Sequence, residues 1–121
     1  MNKNESTENY LETILILSHE LPVVRSVDIA NELGFSKPSI SVAMKNLRAH
    51  DYIKVDDSGF ITLTPSGRKI AETIYERHTL LTDWLTELGV DPKVAAEDAC
   101  RIEHQISAES FSALKKHIGK E

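Results

Sequence analysis

The stretch RSVDIANELGFSKPSISVAMKNLRAHDYI, residues 25 to 53, constrains the fold more than any other segment. Two short amphipathic segments meet across Gly34 to Ser36. In the first, Ser26 is the expected N-cap and Val27, Ile29, Ala30 and Leu33 are expected to face inward. Gly34 is a natural C-terminal stop, because glycine accepts the left-handed backbone that ends a helix. In the second, Ser36 or Lys37 precedes Pro38 at the helix start, and Ile40, Ala43, Met44 and Leu47 recur at helical spacing. Two short helices joined this way have the form of a helix-turn-helix.

Strand character follows. Tyr52, Ile53 and Val55 precede the turn DDSG, and Phe60, Ile61, Thr62 and Leu63 come after it, with Gly59 supplying the freedom a hairpin needs. A helix-turn-helix followed by a hairpin is a winged helix-turn-helix. The outer side of its second helix carries Ser39, Ser41, Val42, Lys45, Asn46 and Arg48. Between residues 36 and 55 stand four basic residues (Lys37, Lys45, Arg48, Lys54) and one acidic (Asp51), a local +3 in a chain of net charge −5. That local reversal of sign suits a helix entering a nucleic-acid groove, whereas the acidic total excludes a protein that coats nucleic acid through bulk charge.

The remainder reads as helices. TENYLETILILSHE, residues 7 to 20, places Tyr10, Leu11, Ile14, Leu15 and Leu17 on a broad apolar side, with Ser6 or Thr7 as the expected cap. A long helix from about Ser66 to Leu88 carries Ile70, Ile74, His78, Leu81, Leu85 and Leu88 along one face, widened by Leu80 and Trp84. This apolar width points to a partner surface, and a two-fold dimer is expected. DPKVAAEDACRIEHQI, residues 91 to 106, is a helix capped by Asp91, and SAESFSALKKHIG, residues 107 to 119, is one capped by Ser107. The expected fold is mainly α: an N-terminal winged helix-turn-helix with a small β-hairpin wing over residues 1–65, and a C-terminal helical dimerisation and metal-binding domain over 66–121.

At 121 residues the chain is about one domain, or one small domain with an added element. No apolar run approaches the roughly 18 residues of a membrane span, and the N-terminus has no signal-peptide pattern, so a cytoplasmic location is expected. The single cysteine cannot form an internal disulfide. No Gly-rich phosphate loop, nucleophile elbow or CxxC is present, so an enzyme is not expected.

Cys100, Glu103 and His104 are spaced i, i+3 and i+4, on one side of a helix. Thiolate, carboxylate and imidazole are ligand types for divalent first-row metals. The same spacing also fits a buried cysteine with solvated neighbours. His78 lies within an apolar stripe and calls for a partner. Glu12, one turn after Asn9, stands among Tyr10, Leu11, Ile14 and Leu15, where a carboxylate calls for a cation or a metal unless it lies at the rim. Whether these helices meet is not legible from spacing.

The ordered segments NYLETI, VDIANELGFSKPSISVAMKNL, LTPSG, ERHTLL and DACRIEH resemble the metal-dependent transcriptional repressors of the diphtheria toxin repressor and manganese transport regulator type. The resemblance covers nearly the whole chain and implies the short form without the SH3-like domain. It also implies repression of metal-uptake genes by a homodimer on a palindromic double-stranded DNA operator, with no membrane partner and no small organic ligand. By position, Glu103 and His104 match ligands shared by both branches, and Glu12 and His78 match ligands of the manganese branch. Cys100 matches the diphtheria-type branch, where the manganese branch has glutamate. Asn9 departs from both, and Thr82 and Ala96 stand where the diphtheria-type branch has glutamate and histidine. The implied metal set is Glu12, His78, Cys100, Glu103 and His104, with Asn9 as a doubtful sixth member. The thiolate favours Fe(II) over Mn(II), with Co(II), Ni(II) or Zn(II) as substitutes in vitro. Ser39, Ser41, Lys45 and Arg48 are expected to bear on DNA, with Lys37 and Lys54 on phosphates. A manganese-responsive regulator of the same fold, or a winged-helix regulator not gated by metal, are the alternatives.

Overall fold

A computed structural model describes residues 3–119. The elements in order are α1 (Lys3–Glu20), α2 (Ser26–Leu33), α3 (Lys37–Ala49), β1 (Ile53–Val55), β2 (Ile61–Leu63), α4 (Pro65–Glu87), α5 (Pro92–Glu103) and α6 (Ala108–Gly119). The chain divides into two compact units, one ending at Glu72 and one beginning at Thr73, so the division falls inside α4. No helix among the described residues is long and apolar enough to cross a membrane.

The first unit is the expected winged helix-turn-helix. Its core joins Leu11, Ile14, Leu15 and Leu17 of α1 to Ile29 and Ala30 of α2, Ile40, Met44 and Leu47 of α3, Ile53 and Ile61 of the hairpin, and Ala71 of α4. Burying the leucine, isoleucine and methionine side chains among these stabilises by about 1.5–3 kcal/mol each, before the entropy of ordering them is subtracted. β1 and β2 pair antiparallel, with Ile53 opposite Leu63 and Val55 opposite Ile61. The Val24 carbonyl accepts from the Ile61 N–H at 2.8 Å, which ties the α1–α2 loop to the hairpin. At the hairpin tip, Asp56 Oδ1 accepts from the N–H groups of Ser58 and Phe60, each at 2.9 Å. Gly59 adopts φ 82°, as the turn requires.

Local signals set most helix ends. Ser36 caps α3, its Oγ accepting from the Ser39 N–H, and Gly34 closes α2 at φ 71°. Asp91 caps α5, and Ser107 caps α6 by accepting from the Ser110 N–H at 3.0 Å. Two caps differ from expectation. α1 begins at Lys3, so Ser6 and Thr7 are interior residues, and Glu5 in the first turn complements the helix dipole instead. Ser26 is the first residue of α2 rather than its cap. Arg25 holds the cap position, its N–H donating to Asp28 Oδ2 at 2.9 Å. With the helix so phased, Ile29 and Ala30 take the inner face and Val27 is left 39% exposed.

The joint between wing and α4 depends on Thr64. Its N–H donates to the Tyr52 carbonyl at 3.0 Å, and its hydroxyl donates to the Asp51 carbonyl at 2.7 Å. The same hydroxyl accepts from the Gly67 N–H at 3.2 Å. This draws α4 so close to Tyr52 that a Cβ on Gly67 would overlap the Tyr52 carbonyl oxygen. Backbone cannot yield as a flexible side chain would. Gly67→Ala is therefore expected to lower unfolding free energy by about 1–3 kcal/mol, read from the urea midpoint against the parent chain.

In the second unit, Ile74 and Leu81 of α4, Ala95 and Ala99 of α5 and Phe111 of α6 are buried. Leu88, expected on the apolar stripe, is 64% exposed, because α4 ends at Glu87 and the chain turns at Gly89 with φ 105°.

Candidate functional site

Glu103 closes α5 and is fully buried, at 0% exposure. A carboxylate removed from water needs a cation, a donor or a metal. Its Oε2 lies 2.9 Å from Nδ1 of His78, which α4 contributes, and its Oε1 lies 3.4 Å from Nε2 of His104. His78 is the stripe histidine whose spacing demanded a partner, and that partner is Glu103.

The position of His104 corrects the sequence reading. α5 stops at Glu103, and His104 is its C-cap at φ −89° and ψ −15°, rather than a residue inside a helix running to 106. The imidazole side chain is nonetheless only 2% exposed. Donor atoms of Cys100, Glu103 and His104 lie within 4.8 Å of one another, so the cluster survives the early helix end. Cys100 is the exposed member of the three.

What holds the helix end in place is Arg77, one residue before His78 on α4. Its Nη1 donates to the backbone carbonyls of Glu103 at 3.0 Å and Ile106 at 3.1 Å. Its guanidinium sits 5.4 Å from the centre of the Phe111 ring. The last carbonyls of a helix lack intrahelical donors, and a cation there also favours the helix dipole. The sequence reading missed Arg77. The available signal was its place three residues after Ile74, on the flank of an apolar stripe, where an arginine calls for acceptors.

These residues fit a divalent first-row ion. Carboxylate, imidazole and thiol are its usual donors, and donor atoms around one such ion spread over roughly 3.5–4.5 Å, given metal–ligand bonds of about 2.0–2.3 Å. In the first unit Glu12 is buried on α1 at 6% exposure, and Asn9 is half-buried, its backbone carbonyl accepting from the Thr13 hydroxyl at 2.8 Å.

The nucleic-acid candidates lie in the first unit. Lys37, Ser39, Ser41, Lys45 and Arg48 on α3 and Lys54 on β1 are all exposed. With about 100° between successive residues, Lys37, Ser41 and Arg48 share one flank of α3 and Ser39 lies on the other. There Ser39 Oγ accepts from the Ser36 hydroxyl at 2.9 Å. That second flank, with Asn46 and His50, faces Ser6, Thr7 and Tyr10 of α1 across a groove of about 430 Å³. His50 stacks on Tyr52 and its Nδ1 is 2.8 Å from the Asn46 carbonyl.

Removing the Arg77 guanidinium leaves two partly buried carbonyls without that donor. Arg77→Ala is expected to cost about 1.5–3 kcal/mol of stability, the range for hydrogen bonds to charged groups, measured by chemical denaturation without added metal.

Family models match both units. That of the iron-dependent repressor N-terminal DNA-binding domain covers residues 4–59, and that of the iron-dependent repressor metal-binding and dimerisation domain covers 64–120. The transcriptional regulator MntR of Salmonella typhimurium is 35% identical over 113 residues, 93% of this chain and 72% of that protein. Among solved structures, the manganese regulator SloR is 27% identical with a TM-score of 0.81. A manganese-dependent transcriptional repressor in complex with manganese is 25% identical with a TM-score of 0.83. Both structures cover 93% of this chain, which spans about half of theirs, 53% and 52%.

Proposed function

This chain belongs to the iron-dependent repressor family of metal-dependent transcriptional regulators, and on that premise we propose that it is a manganese-responsive repressor of metal-uptake genes. The family is one of DNA-binding regulators and not of enzymes. The observation that carries the reading is the buried Glu103 carboxylate set between His78 and His104.

The thiolate argument favoured Fe(II), but two considerations support Mn(II) instead. The two solved structures described above are named for manganese. In addition, the carboxylate is the fully buried donor of this cluster, whereas Cys100 is exposed. A cluster centred on a buried carboxylate suits a harder ion than one centred on a buried thiolate, and selectivity among first-row metals follows ligand type, geometry and availability more than raw affinity.

Glu103, His78 and His104 would hold the ion, with Cys100 at the solvent side and Glu12 of α1 added by family position. The ion would supply positive charge that offsets the desolvated carboxylate. Glu103 then orients both imidazoles, and Arg77 fixes the backbone from which Glu103 and His104 project. Loading biases the protein toward a DNA-binding state by the difference in metal affinity between states. A homodimer would present α3 twice, to the two halves of a palindromic operator. Lys45 and Arg48 would bear on that operator, with Lys37 and Lys54 on phosphates.

Gel shifts on a palindromic uptake-gene promoter, titrated metal by metal under anaerobic conditions, test this. Mn(II) is expected to drive binding at lower concentration than Fe(II), Co(II) or Zn(II), and activation by Fe(II) alone would overturn the manganese reading. Glu103→Ala is expected to abolish metal-stimulated binding, and Cys100→Ser to retain the Mn(II) response. Lys45→Ala and Arg48→Ala are each expected to weaken binding across sequences and to lower the salt slope by about one, with metal affinity unchanged by calorimetry.

A further inference from the structure

The outermost line of α3 has a large, exposed apolar residue, Val42, at its middle. Ile40, Met44 and Leu47 fix the buried direction of the helix. At about 100° per residue, the positions opposite them are Pro38, Val42, Lys45 and Ala49. All four are exposed, and Val42 is 61% exposed. Valine is a weak helix former, and at this exposure its side chain adds little to the core. The flank beside it carries Lys37, Ser41 and Arg48, whose charge complements phosphates on either side of a groove.

In the major groove, thymine presents a 5-methyl group, and apolar side chains discriminate thymine by contact with it. We propose that Val42 is a specificity-determining residue that reads a thymine 5-methyl group in each operator half-site. Its branched methyls reach further than Pro38 or Ala49 on the same line, beside the cationic Lys45. The selected sequence is then set by a contact that carries no charge, while Lys45 and Arg48 supply affinity without favouring one base. This rests on the DNA-binding reading above, which places α3 against a duplex.

Uracil in place of thymine removes only that methyl. The preferred duplex is first obtained by selection from a random pool with the Mn(II)-loaded full chain. Uracil is then substituted for each thymine in turn, with affinity read by fluorescence anisotropy. Losing one methyl contact is expected to weaken binding about fourfold at one position per half-site. Val42→Ala is expected to bind the thymine duplex about fourfold more weakly and to be indifferent to uracil at that position. Lys45→Ala, weaker everywhere, is expected to keep the uracil sensitivity. Binding that ignores uracil at every position, or a sensitivity unchanged in Val42→Ala, overturns the assignment and leaves the repressor reading standing. Failure to select any duplex, with any divalent metal, overturns both.

Discussion

Glu103 has no access to water, and a carboxylate in that position must be neutralised or matched. His78 meets one of its oxygens and His104 lies near the other. The backbone carbonyl of the same residue is held by Arg77. One residue thus binds α4 through its side chain and through its main chain. The same Arg77 guanidinium holds the Ile106 carbonyl in the turn to α6 and lies over the ring of Phe111. Failure of that double attachment would release the Glu103 side chain and a helix terminus together.

The first unit solves a different problem, which is to present α3 rigidly with its outer face free. Apolar contacts from every element of the unit hold the inner face. Polar contacts of the main chain hold the margins: Thr64 to Asp51 and Tyr52, Ile61 to Val24, and Asp56 within its own turn. None of these uses the side chains of Lys45 or Arg48. The cationic flank can therefore meet phosphates without dismantling what positions it.

Helices, hairpin and most caps were legible because their causes are local. Ser36, Asp91 and Ser107 accept from N–H groups two or three residues on, and Gly34 and Gly89 take backbone angles that favour glycine. Where a cap was misread, a competing local group had won: Asp28 secures the Arg25 N–H one position before Ser26. His104 was assigned to a helix because periodicity continues through QI. The helix instead ends where Arg77, 26 residues earlier in the chain, takes the Glu103 carbonyl, and no window along the chain shows such a contact. The lean toward Fe(II) rested on the chemical type of Cys100, and chemical type says nothing of exposure.

Sequence alone determined the winged helix-turn-helix, the helical second half, the positive flank of α3 and the identity of the candidate donors. Those depend on periodicity, turn chemistry and side-chain type, which act over a few residues. Only the tertiary structure decided that His78 answers Glu103, that Arg77 secures the end of α5, and that the Glu103 carboxylate is buried while the Cys100 thiol is exposed. Each of those is a matter of desolvation and of partners brought together from distant parts of the chain. Both are properties of packing, and spacing along the chain does not contain them.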